Sequence, residues 1–179
     1  MQADDVLHFW FEEIAPAQHF ATDAALDALI RQRFGRAWEA ARHCELWTWR
    51  ATPRGRLAEI LVLDQFSRNL HRGSPLAFAQ DGLALALAQE LVAGQHDRGL
   101  PATERAFAYM PYMHSESLAI HDQAMLLFNQ PGLENNLHFE VRHRDIIARF
   151  GRYPHRNAAL GRASTPDEAA FLSEPGSSF

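Results

Sequence analysis

The chain has 179 residues, 47% of them hydrophobic, and a formal net charge of −5. That length supports one domain with a sizeable core, and the charge excludes a general electrostatic pull toward nucleic acid or an anionic membrane. The lone cysteine, Cys44, excludes an intramolecular disulfide or a Cys-rich zinc site and reads as a buried small hydrophobe. All 17 basic residues are Arg. Without lysine there is no Schiff-base amine, no Walker-type phosphate lysine and no Ser–Lys pair.

The N-terminus, M-Q-A-D-D-V-L-H-F-W-F-E-E, lacks the basic start and apolar run of a signal peptide. No stretch reads as long and apolar enough to span a bilayer, so the expected location is cytoplasmic. Val6, Phe9, Trp10 and Ile14 repeat at helical spacing until Pro16 breaks the pattern. Thr22 or Asp23 then caps a long helix carrying Leu26, Leu29, Ile30, Phe34, Ala37, Trp38 and Ala41, with Arg31, Arg33 and Arg36 on a solvated face. Trp47 and Trp49 in the following connection read as core anchors.

From Thr52 to Arg72 the chain reads T-P-R-G-R-L-A-E-I-L-V-L-D-Q-F-S-R-N-L-H-R. Thr52 is the expected N-cap, Pro53 the first helical residue, and Gly73 the stop. Leu57, Ile60 and Leu61 form one stripe; Leu63, Phe66 and Leu70 form another. A helix apolar on more than one side is central and buried. Asp64 and Arg68 extend the first stripe as a charged row, either an internal ion pair or the floor of a site.

Asp81 opens the next helix, L-A-L-A-L-A-Q-E-L-V-A, closed by Gly94. Thr103 is the expected cap of a short helix through Ala108, with Pro111 disfavouring continuation. Ser115 is the expected cap of a helix with Ile120, Ala124, Leu127 and Phe128 on one face. Residues 133–150 alternate like a strand in L-H-F-E-V-R, but Phe139, His143, Ile146, Ile147 and Phe150 share a helical face. With no partner strand elsewhere, the helix reading is preferred. After a rigid tail, Thr165-Pro166-Asp167-Glu168 announces a last helix through Leu172, and P-G-S-S-F forms a frayed end. The expectation is a single all-α domain over residues 1–179, with about seven to eight helices stacked as antiparallel hairpins.

Four stretches carry a family resemblance: V-L-H-F-W-F, L-V-L-D-Q-F-S-R-N-L-H-R-G, Y-M-P-Y-M-H-S-E and R-F-G-R-Y-P-H-R-N-A-A-L-G-R-A-S-T-P-D-E. Together they resemble the bacterial family called domain of unknown function 924. The resemblance implies a tetratricopeptide-repeat-like helical array without the repeat sequence, and it implies no activity. Ser67 stands where the family usually has Pro, which is expected to straighten the helix, and Tyr153 where it usually has Phe.

Three polar clusters fall inside these stretches. The first is Asp64, Gln65, Arg68, Asn69 and Arg72. The second is His114, Ser115 and Glu116, and the third is Arg152, His155, Arg156, Asn157 and Arg162. Guanidinium groups bind phosphate and carboxylate in bidentate fashion. If the tail folds onto the central helix, these groups line an anion pocket, to which the N–H groups of a helix starting at Ser115 add. The alternative is structural: Asp64–Arg68 as a one-turn pair, Arg156 and Asn157 capping helix ends, and His114 bonded to a buried carboxylate. No histidine pair has helical metal spacing, and no nucleophile elbow, dinucleotide or P-loop pattern occurs, so neither metal nor cofactor is expected. Two functions remain. One is a scaffold that binds a peptide or small acidic ligand in a groove. The other is an enzyme for a small anionic substrate, with Arg68, Arg72 and Arg156 clamping it and His114 or His155 as acid–base.

Overall fold

The computed structural model describes residues 1–177. Its regular elements are helical, and no strand occurs among the described residues. Asp23 caps α2 (Ala24–Arg42), which follows α1 (Ala3–His8) and the wide π-helical turn Phe9–Glu13 that continues it. The central rod is α3 (Pro53–Leu61), a second π turn (Val62–Phe66) and α4 (Ser67–Leu70). The Thr52 hydroxyl accepts from the Gly55 N–H at 3.0 Å, and Pro53 occupies the first position, as expected. Then come α5 (Asp81–Ala93), α6 (Ala102–Met113), α7 (Leu118–Phe128), α8 (Glu134–Phe150) and α9 (Pro166–Leu172). With α3, the π turn and α4 taken as one rod, this is eight helices among the described residues.

Every residue from 57 to 67 is buried, because α1, α2, α5 and α6 all pack on the rod. Phe9, Phe34 and Phe66 interlock there, with ring centroids 4.9–6.2 Å apart, a geometry that adds to their area burial. From α5 to α8 each helix packs on the next, as short connections dictate. A smaller apolar cluster of Ile146, Ile147 and Tyr153, with Phe150 and Phe171 beside it, joins α8 to the tail and α9.

The turn Trp47–Ala51 lies so close to α3 that a Cβ on Gly55 would stand 2.1 Å from the Trp49 carbonyl oxygen. A backbone atom cannot swing aside as a side chain does. Gly55→Ala is therefore expected to destabilise the fold by about 1–3 kcal/mol. Gly35→Ala, in α2 with open space around it, should raise stability by about 0.5–1 kcal/mol through helix propensity. Urea unfolding of the pair checks both signs.

Several local expectations are corrected. Cys44 is exposed, at φ 60°. It ends α2 in a Schellman arrangement, with Glu45 N–H on Ala40 O and Cys44 N–H on Ala41 O, both 2.9 Å, and the left-handed residue of that motif faces water. Trp47 is 66% exposed, while Trp49 packs against the core. Helix α6 begins at Ala102 and runs through Pro111. Residues 106–113 are buried, and their packing offsets the roughly 3 kcal/mol that an internal proline costs. Ser117, not Ser115, precedes α7. Pro75–Ala93 does have the length, and at 1.2 the mean hydropathy, of a membrane-crossing stretch. Here it starts as a separate turn, and its Ala- and Leu-rich helix packs on α3 and α6. The rod is not a plain helix at Ser67, since the π turn immediately precedes it. The Ser67 hydroxyl accepts from Trp38 Nε1 and donates to Leu63 O. In the segment 133–150 the helix reading holds, over Glu134–Phe150. The capping box of Thr165 and Glu168 forms. The expected frayed end falls partly on residues 178–179, outside the described residues.

Candidate functional site

The C-terminal end of the rod, the end of α6, the inner face of α8 and the tail meet around a cavity of about 770 Å³. Its wall includes Arg68, Asn69 and Arg72 from the rod, His114 from the end of α6, and His155 and Arg156 from the short turn Pro154–Arg156. These six come from the expected clusters. The tail does pack beside the Asp64–Arg72 row: Arg156 reaches Asp81 Oδ2 at 3.1 Å and the carbonyl of His114 at 2.9 Å.

Asp64 lies beneath the wall, fully buried. Its Oδ1 is 2.7 Å from His114 Nδ1 and 3.0 Å from Arg68 Nη1, and its Oδ2 accepts from Gln65 at 2.6 Å. Burial would raise its pKa, but the charge of Arg68 and the hydrogen bonds from His114 and Gln65 outweigh that and hold it below the usual carboxylate range. An ionised Asp64 can only accept, so His114 donates from Nδ1, which leaves Nε2 as the basic ring nitrogen. Burial, with Arg68 as second cause, pushes His114 below an ordinary histidine despite Asp64. Burial also carries His143 down to about 3 and His155 down to about 4, where Arg156 adds to it. The cavity is thus walled by neutral imidazoles at pH 7.

The arginines are braced from behind. Arg68 holds Asp81 through two hydrogen bonds of 3.0 Å. Arg156 lies between the rings of Phe78 and Tyr153, 4.7 and 4.6 Å from their centroids. Arg72 and Asn69 both bond Asp27. Among the described residues no Asp or Glu lines the cavity, although Asp27, Asp64 and Asp81 stand behind its arginines and His114.

The other expected residues lie elsewhere. Glu116 borders a smaller cavity of about 310 Å³ on the far side of Arg156 and His114, where it accepts from Arg162 and from the Tyr153 N–H. Arg162 also bonds Asn157, and Arg152 grips Glu168. Arg152, Asn157 and Arg162 therefore shape the tail and do not line the large cavity. The N-terminus of α7, which starts two residues later than expected, does not border it either.

Sequence reasoning misses Asp81, His143, Phe20 and Phe139 as parts of this region. Asp81 looks like an ordinary acidic helix start, and His143 like one member of a buried stripe. Behind the wall, His121 Nδ1 lies 2.6 Å from Glu140 Oε1, both side chains fully buried, and its Nε2 bonds Ser115 O. Tyr153 donates to Met113 O, a bond that a phenylalanine at this position could not make. Among the described residues no group of three His, Cys, Asp or Glu is placed to hold a metal ion.

Fold and site define an all-helical protein with a cavity of about 770 Å³ lined in part by arginine and histidine. No curated protein matches the chain. The chain belongs to the family described as bacterial protein of unknown function (DUF924), which it matches over residues 6–176. It is similar to the solved structure of a protein of unknown function, ATU0120 from Agrobacterium tumefaciens, at 40% identity and a TM-score of 0.90, over 96% of each chain.

Proposed function

We propose that this chain is a cytoplasmic enzyme that takes a small phosphate- or carboxylate-bearing substrate into the large cavity. In this reading His114, oriented by Asp64, acts as general base. The observation that carries it is the sign of the wall: among the described residues four arginines and four histidines line the cavity, and no Asp or Glu does. The acids sit behind the arginines and aim them, so an entering anion meets cationic donors in a partly desolvated space. Among the described residues the lining contains no Ser, Thr, Cys or Lys. A covalent nucleophile is therefore not part of the proposal, and His114 takes a proton from the substrate or from water. The peptide-scaffold alternative calls for an open groove. Here separate segments, from the loop at 19–21 to the tail, wall the space, which favours a compact ligand.

The test is a thermal-melt panel of phosphates and carboxylates, followed by an activity screen of the anions that bind. Anions are expected to raise the parent's melting temperature, and Arg72→Gln, at a partly exposed position, to weaken that response about tenfold. His114→Gln should keep the ligand-dependent shift and lose about 10²–10⁴ of turnover. A parent melt indifferent to every anion would end the proposal.

A further inference from the structure

The cavity is far larger than an inorganic anion requires. At about 770 Å³ it falls among pockets that enclose whole organic ligands, roughly 300–1,000 Å³. Its wall has two characters. Arg68, Arg156, His114 and His155 gather where the rod, α6 and the tail meet. Met110, Met113, Phe78, Phe20 and Phe139 supply an apolar surface.

Two of those aromatic side chains are left in water by folding. Phe20 is 68% exposed and Phe139 is 37% exposed, in a protein that buries Trp10, Phe9, Phe34 and Phe66 completely or nearly so. Phe20 is nonetheless held in place. Its ring lies parallel to Phe107 at 6.0 Å and 8°, and edge-on to His19 at 6.2 Å. His19 is anchored in turn by a 2.7 Å bond to Trp10 O and by stacking on the Trp10 ring at 4.6 Å. Phe139 lies under the Arg142 guanidinium, 5.8 Å from its ring centre. Fixed aromatic faces and polarisable methionine thioethers suit a flat or branched hydrocarbon group.

We infer that the ligand is an organic anion with an apolar arm: a phosphate or carboxylate placed toward Arg68, Arg156 and the histidines, and an aromatic or branched hydrocarbon group received by Phe20, Phe139, Met110 and Met113. This rests on the anion reading of the cavity proposed above and adds the nature of the rest of the molecule. A polyhydroxylated phosphate would leave that apolar surface unmatched, since its hydroxyls would lose water without gaining partners there.

Calorimetric titration of the full chain with matched probes tests it. The probes are inorganic phosphate, phenyl phosphate, acetate, phenylacetate, glucose 6-phosphate and benzyl alcohol. Phenyl phosphate and phenylacetate should each bind at least tenfold more tightly than the bare anion, and phenyl phosphate at least tenfold more tightly than glucose 6-phosphate. Phe139→Ala and Phe20→Ser should each shrink that preference severalfold with little change in the melt, because both side chains are partly or largely in water already. Equal affinity for bare and phenyl-bearing anions, a preference for glucose 6-phosphate, or an unchanged preference in both variants overturns the arm and leaves the anion site standing. Benzyl alcohol binding as tightly as phenyl phosphate overturns the anion reading and this inference with it. Silence from every probe overturns both.

Discussion

Lowering the pH from 7 to 4 is expected to remove several kcal/mol of folding stability, with most of the loss between pH 6.5 and 4. The cause is a set of buried neutral histidines. His143 is carried down to about 3 and His155 to about 4, both first by burial, while the unfolded chain titrates near the ordinary value of about 6.5. Below that value the unfolded state binds protons that the folded state refuses, so stability falls as pH falls. The contribution is complete above about pH 6.5 and shrinks as pH drops toward the folded values, by on the order of 2–3 kcal/mol for each group at pH 4. His114 and His19 are lowered as well and act in the same direction. Asp64 and Glu116, held below the usual carboxylate range, withdraw their stabilisation only below about pH 4. Glu140 opposes them, because burial raises it. Urea unfolding at pH 7, 5.5 and 4 measures the slope, and His143→Gln should flatten it. A parent with equal stability at pH 7 and pH 4 would contradict the assignment.

Replacing Asp64 by Ala should cost about 3–5 kcal/mol at pH 7, the loss typical of a buried charge pair with one partner removed. The carboxylate bonds His114, Arg68 and Gln65 from a fully buried position. Without it, the His114 Nδ1–H and the Gln65 amide become buried donors lacking an acceptor. Arg68 is less affected, because Asp81 still holds it through Nη1 and Nη2. Asp64→Asn keeps an oxygen for His114 but sets one amide N–H₂ against that of Gln65, so a loss of about 1–3 kcal/mol is expected. Denaturant midpoints that rank parent, Asn and Ala in that order support the account. An Ala variant within about 0.5 kcal/mol of the parent, the range of an ordinary surface change, would mean that Asp64 does not organise this region.

The helices are legible where the chain carries end signals. Thr52-Pro53 and Thr165-Pro166 both start helices as read, because a hydroxyl cap and a proline at the first position satisfy the same orphaned N–H groups wherever they occur. Pro111 misleads for the opposite reason: its local cost is real, and burial of its neighbours outweighs it. The π turns leave no trace in composition. A rod apolar on every side offers no phase against which one extra residue would show. At the site, Arg68, Arg72, His114, His155 and Arg156 can be picked out because they fall inside the stretches that carry the family resemblance. Asp81 and Arg156 are 75 positions apart, and no local pattern links them. Phe20 and Phe139 look like ordinary core residues, and only their exposure in the folded chain sets them apart.

The wide turn at Val62–Phe66 sets the angular phase of everything downstream of it. One residue advances an α-helix by about 100°, and a π bulge amounts to one residue inserted into a helix that otherwise continues. The first half of the rod can therefore aim its side chains by the needs of the core, while the second half is re-aimed by about a quarter of a rotation toward the space where Arg68 and Arg72 stand. A version of this rod one residue shorter at that turn would keep its caps and its apolar character and still point its guanidinium groups the wrong way.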